Sequence, residues 1–309
     1  MPVPTLTPAV LSALRARFGD AMPEPEVLGA GEWSSAYELT VDGRSLVVRV
    51  GRYREDYLKD QIAAKLFASS RVPVPEIIAF GETDGLCYAV AERVHGIGLD
   101  ELDAAEIDRV LPSLLGVLDE IHACDVAQTT GFGDWGPDRV GGHASWAQSL
   151  LAVGDDRARF PGWRDELATS PADSTKFDQG LEHLASVAPR LPAVRELIHR
   201  DLFNRNILVS GTAVAGVLDW GCSLYGDSLY DAAWLAYCWA LYPQWSAIDI
   251  RSRIRQHLEA AGLLPADFEE RLHAYEVHIG LGAVQFCAFV RRWDQVEWHA
   301  DAVAKLIAA

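Results

Sequence analysis

The amino-acid sequence predicts an α+β fold in which a β-rich segment precedes a larger helical one. Three observations carry that expectation. Residues 28–50 and 72–90 read as strands broken by tight turns. From residue 99 onward, apolar residues recur at helical spacing over long segments. One stretch, 197–220 (LIHRDLFNRNILVSGTAVAGVLDW), interrupts the helices with three short apolar runs at 197–198, 207–209 and 214–218. They read as buried strands, with Gly211 marking the turn between the last two. At 309 residues the chain is long enough for two domains or two lobes with a sizeable core.

Polar residues gather at the ends of those three runs: His199, Arg200, Asp201, Asn204, Arg205, Asn206 and Asp219. A strand, a polar loop and a hairpin ending in aspartate would bring an acid, an amide and a second acid to one edge. That set suits magnesium, a hard ion that takes a few protein oxygens and leaves its other positions to phosphate and water. A carboxylate beside it can accept a proton from an attacking hydroxyl.

The segment HRDLFNRN followed by LDW resembles the catalytic and metal-binding loops of the protein kinase-like fold, H-x-D-x-x-x-x-N and then aspartate. The similarity is to its antibiotic and small-metabolite branch, the aminoglycoside phosphotransferases, and more narrowly to their hygromycin-modifying members. It implies a bilobal protein kinase-like fold, with a small β-rich nucleotide-binding lobe over residues 1–95 and a larger helical catalytic and substrate-binding lobe over 96–309. By the same resemblance Asp201 is the catalytic base, Asn206 and Asp219 are magnesium ligands, and Leu208 packs under an adenine.

In chain order, Thr7 and Pro8 signal a helix start, a capping hydroxyl before proline at the first helical position, and Gly19 signals its end. Asp42-Gly43 is a hairpin signal within 28–50. Gly29, Gly31, Ser34 and Ser35 resemble a phosphate-covering loop, since glycines let the backbone approach phosphate oxygens. Arg49 stands where most kinases carry a phosphate-binding lysine. Its expected partner is Asp60, on a helix over 54–68. Residues 91–96 resemble the hinge between lobes, with the Glu92 carbonyl and the Val94 N–H facing the adenine.

Helical periodicity over 99–123 ends near His122, read as a packed structural histidine. Residues 131–153 place a tryptophan before an apolar helix, 154–176 read as a polar loop or lid, and 177–187 resume helical spacing. Ser228 and Asp231 fit a capping-box variant for a helix over 229–239. The short interval before that helix leaves no room for a long activation segment, which argues against a protein kinase. Asp231, Trp234, Asp294 and Trp298 are the candidate acceptor contacts. Tryptophan beside acid suits a sugar-like polyamine, with rings against apolar sugar faces and carboxylates on ammonium groups.

The five cysteines are odd in number, scattered and without a C-x-x-C pair, which points to a reducing cytoplasm rather than a disulfide framework or zinc site. The N-terminal residues carry no signal-peptide pattern, and the apolar runs are too short to span a bilayer. A formal charge of −17 argues against nucleic acid as a partner and suits a cationic small substrate. The resemblance implies an ATP- and Mg2+-dependent O-phosphotransferase, with GTP as an alternative donor. It would act on a hydroxyl of a hygromycin B-like aminoglycoside, confer resistance and work as a monomer. The alternatives are a kinase of choline, homoserine or macrolide type, or a catalytically silent nucleotide-binding regulator.

Overall fold

Helix α1 (Pro8–Phe18) begins where the sequence places it. Thr7 Oγ1 accepts from Val10 N at 3.3 Å, and Gly19 closes the helix at φ +94°. Strands β1 (Glu26–Ala30), β2 (Ser34–Val41) and β3 (Arg44–Gly51) follow. At the β2–β3 turn Asp42 and Gly43 have φ +50° and +77°, the two positive values that a two-residue hairpin turn requires. Next come α2 (Arg54–Leu66), β4 (Ile77–Thr83), β5 (Leu86–Glu92), the two-residue β6 (Ile97–Gly98) and α3 (Ala104–His122). The chain continues through β7 (Phe132–Trp135), β8 (Gly141–His143), α4 (Trp146–Leu151), α5 (Trp163–Thr169), α6 (Thr175–Val187) and β9 (Glu196–Ile198). It ends with β10 (Ile207–Ser210), β11 (Ala213–Val217), β12 (Leu224–Gly226), α7 (Leu229–Trp239), α8 (Ile250–Ala261), α9 (Phe268–Phe289) and α10 (Trp293–Ala308). This computed structural model describes residues 3–156 and 158–308, so Arg157, within the expected loop over 154–176, lies outside the described residues.

The chain divides into two compact units, Met1–Ile121 with Phe203–Ser223, and His122–Leu202 with Leu224–Ala309. In the first, a five-stranded antiparallel sheet runs in the order β1-β2-β3-β5-β4. Strand alternation decides what its faces do. Leu46, Val48 and Val50 of β3 join Leu39 of β2 and Val10 and Leu14 of α1 in a buried core. Val47 and Arg49, one residue out of phase, belong to the opposite face. A second sheet, β11-β10-β6, pairs Leu208 with Gly98 and Val209 with Ile97. This pairing is why residues 203–223 belong to the first unit.

The second unit contains a four-stranded antiparallel sheet, β8-β7-β12-β9. The three apolar runs of residues 197–220 therefore do not share a sheet: β9 pairs with β12, while β10 and β11 pair with each other. Strands β7, β8 and β12 escape the sequence pattern because they are short and rich in glycine. Gly133 has φ +79°, and a Cβ there would stand 2.2 Å from Ser149 Oγ. The segment expected as a loop or lid holds α5 instead, with Trp163 fully buried against Phe177 at 4.9 Å between ring centroids. Helix α9 packs on α5, α6, α7 and α10. Among the described residues no helix is long and apolar enough to cross a membrane.

His299 on α10 is buried, with Tyr237 hydroxyl 2.8 Å from its Nδ1. Burial lowers its pKa from 6.5 to about 4. The unfolded chain thus binds the extra proton first, and the stability this group contributes is present above pH 6.5 and lost as pH falls through 4. The loss amounts to about 3 kcal/mol. Buried Glu276 acts oppositely: burial, against the pull of Arg251, raises its carboxyl to about 7, so its contribution is lost as pH rises. Comparing the protein with His299→Gln cancels Glu276. The stability difference between the two should shrink by about that amount from pH 7 to 4 in urea titrations. A difference independent of pH would contradict this assignment.

Candidate active site

In the first unit, Arg49 projects from β3 onto two carboxylates. Its Nη2 stands 2.8 Å from Asp60 Oδ2 on α2, and its Nη1 stands 3.4 Å from Asp219 Oδ1. The guanidinium also lies over the Tyr57 ring, 4.6 Å from the centroid. Burial disfavours the Arg49 charge, but Asp60 and Asp219 outweigh it and raise its pKa. Burial pushes the Asp60 carboxyl up to about 6, against the pull of Arg49 and a hydrogen bond from the Trp220 N–H. Asp60 is the expected partner of Arg49, and its Oδ1 has a second task, accepting from Trp220 N at 2.8 Å.

Asp219 ends the β11 segment with φ +59° and ψ +71°, a left-handed conformation that aspartate tolerates better than most side chains. Its side chain is 40% exposed. Leu218 N donates to the Asn206 main-chain oxygen at 2.8 Å, so the chain at Asn206 is tied to the residue preceding Asp219. A carboxylate and an amide oxygen are hard donors of the kind that fit magnesium.

Beside this charged end lies a cleft of about 130 Å³ with apolar walls that include Val47, Ala89, Val94, Leu208 and Val217. Leu208, Glu92 and Val94 thus line the same cavity as Arg49, Asp60 and Asp219. Glu92 N donates to Glu76 O and Arg93 N to Ser45 O, while no bond from the Val94 N–H occurs among the described residues. A slot with apolar walls, a main-chain donor and a guanidinium fits a flat heterocycle carrying phosphates. In the glycine-bearing turn, Gly31 N donates to Ser34 O at 2.9 Å. Ser35 departs from expectation: it is buried, and its hydroxyl donates to Pro4 O at 2.6 Å rather than facing a ligand. A Cβ on Gly29 would lie 3.7 Å from Arg205 Nη1, so this turn approaches the segment that carries Asn206.

In the second unit, Asp231 is 1% exposed. Its oxygens accept from His199 N at 2.9 Å and Arg200 N at 2.6 Å, and His122 Nε2 is 3.4 Å away. That geometry overturns two expectations. Asp231 cannot reach an acceptor, and it does not cap α7, whose Leu229 N is bonded to Asp227 Oδ1 at 3.1 Å. It anchors the loop instead. Arg200 has φ +71°, and Asp201 N lies 3.3 Å from His199 Nδ1. The half-buried Asp201 lies near Cys238 of α7, whose thiol is pushed up by burial with a further contribution from the Asp201 charge. Trp234, one turn earlier on α7, stacks on Tyr230 at 6.5 Å. Asp294 and Trp298 are exposed one turn apart on α10. Sequence reasoning missed the anchoring task of Asp231 and the buried Lys59 of α2. Buried charge leaves no periodic signature.

These features define a small-molecule kinase with the protein kinase-like fold. The phosphotransferase enzyme family matches residues 26–275, and the chain belongs to that family. It is 29% identical over 311 residues to the hygromycin-B 4-O-kinase of Escherichia coli, covering 99% of this chain and 87% of that protein. The crystal structure of aminoglycoside phosphotransferase APH(4)-Ia matches with a TM-score of 0.85 at 28% identity, covering 97% of each chain. A thermostable APH(4)-Ia mutant in ternary complex with AMP-PNP and hygromycin B gives 0.84 at 29% identity, covering 96% of this chain and 98% of that one.

Proposed function

We propose that this kinase transfers the γ-phosphoryl group of ATP to a hydroxyl of a hygromycin B-like aminoglycoside and so confers tolerance to it. The carrying observation is the cleft whose apolar walls lead to the Arg49–Asp60–Asp219 cluster. On this reading the first unit takes the nucleotide, with Glu92, Val94 and Leu208 at the base. The glycine turn of Gly29, Gly31 and Ser34 lies along the phosphates. The expected lobe boundary, at about residue 95, lies inside this unit, which runs on to Ile121 and takes in Phe203–Ser223. Asn206 and Asp219 hold Mg2+, which when bound neutralises phosphate charge. Asp201 orients the acceptor hydroxyl and takes its proton as the new O–P bond forms and ADP leaves. The acceptor is taken by the second unit, with Trp234, Asp294 and Trp298 as its contacts. The ATP-binding part of the proposal accords with the AMP-PNP carried by the APH(4)-Ia complex.

A panel of aminoglycosides and neutral alcohols in an ATP-consumption assay tests the substrate. Hygromycin B should be the preferred acceptor. Its kcat/KM should fall as salt rises to physiological strength, where screening limits exposed charges to about 8 Å. Efficient phosphorylation of a neutral alcohol, with no aminoglycoside accepted, would overturn the substrate while leaving the mechanism.

A further inference from the structure

Helix α2 carries three nearly buried polar residues, Asp56, Lys59 and Asp60. Their spacing of three and four puts them on one helix face, and all three meet the turn that follows Asp219. Lys59, 2% exposed, donates from Nζ to Gly221 O at 3.1 Å and Ser223 O at 3.0 Å. Asp60 takes the Trp220 N–H at 2.8 Å. Asp56 lies so close to Gly221 that a Cβ there would stand 2.8 Å from its Cγ.

Removing an ammonium from water is costly unless strong acceptors replace the solvent. A methionine would fill similar space without that cost. What the lysine adds is direction, because two donors on one nitrogen fix two carbonyls of the same turn. Asp60 meanwhile ties the start of that turn to Arg49.

We infer that Lys59 is a positioning residue that sets the turn carrying Asp219, so that the Asp219 carboxylate is presented at a fixed place beside Arg49. The inference rests on the phosphotransfer reading above, in which Asp219 holds magnesium. Lys59 touches neither nucleotide nor metal. It acts through the main chain, and replacing it should loosen the turn rather than remove a ligand.

Two measurements on Lys59→Met test this. In hydrogen exchange on the ligand-free enzyme, the amides of Trp220 and Ser223 should exchange faster than in wild type, while those of β2 and β3 keep their rates. In steady-state assays, the magnesium activation constant should rise about tenfold, the usual cost of losing an outer support of a metal ligand, with the acceptor KM unchanged. If Lys59→Met does not fold, Lys59→Leu, which likewise lacks a donor, replaces it in both measurements. Wild-type exchange at the turn overturns the inference. So does faster exchange with unchanged magnesium dependence, because the clamp would then serve the fold alone. If wild-type enzyme phosphorylates no acceptor, the functional reading fails by itself and the exchange measurement still judges the clamp.

Discussion

Asp201→Asn is expected to lower kcat by about 10²- to 10⁴-fold, the usual size of a general-base contribution. The change is isosteric, and part of the loop's shape is set from outside this carboxylate. Asp231 fixes the neighbouring main chain by accepting from His199 N and Arg200 N. Nucleotide affinity should be retained, because Asp201 is not among the residues lining the cleft. Parallel measurement of turnover and of ATP binding by titration calorimetry separates the two. Turnover close to wild type would remove Asp201 from the chemistry.

Asp219→Ala is expected to abolish the tightening of ATP by magnesium, since one of few protein oxygens on the ion disappears. Calorimetric titration with and without magnesium decides it. A backbone contribution must be separated from this effect. At φ +59° an ordinary side chain costs about 1–2 kcal/mol, whereas asparagine tolerates the conformation. Asp219→Asn should therefore keep more thermal stability than Asp219→Ala while also losing most of the magnesium effect. Magnesium tightening that survives in both variants would mean that the ion is held elsewhere.

The Arg49–Asp60 pair, found at 2.8 Å, could be expected from the segment's resemblance to a known family, and the same resemblance singles out Asp201, Asn206 and Asp219 as candidates. The first sheet was legible from local signals, its strand-like runs and the Asp42-Gly43 turn. The unread features depend on partners distant in sequence. Lys59 looks like a surface charge until its bonds to Gly221 and Ser223 are known. Asp231 looks like a cap or a substrate contact until its bonds to His199 and Arg200 are seen. Ser35 reads as a phosphate donor until Pro4 is found on its hydroxyl. The pairing of β9 with β12 could not be inferred, because the intervening β10–β11 hairpin is the nearer and more obvious partner.

The way the chain leaves and re-enters its first unit has a consequence for synthesis on the ribosome. Strand β6 pairs with β10, and Leu208 and Val217 line the cleft, yet residues 122–202 are made before either arrives. The first unit therefore cannot close as it emerges. A nascent chain ending near residue 121 would expose β6 without its neighbour and a cleft without part of its wall. Domains that complete themselves early hide apolar surface early, whereas this one waits, and exposed strand edges invite association. Slow translation through residues 122–202 would lengthen that exposure. A fragment expressed as residues 1–121 would make it permanent.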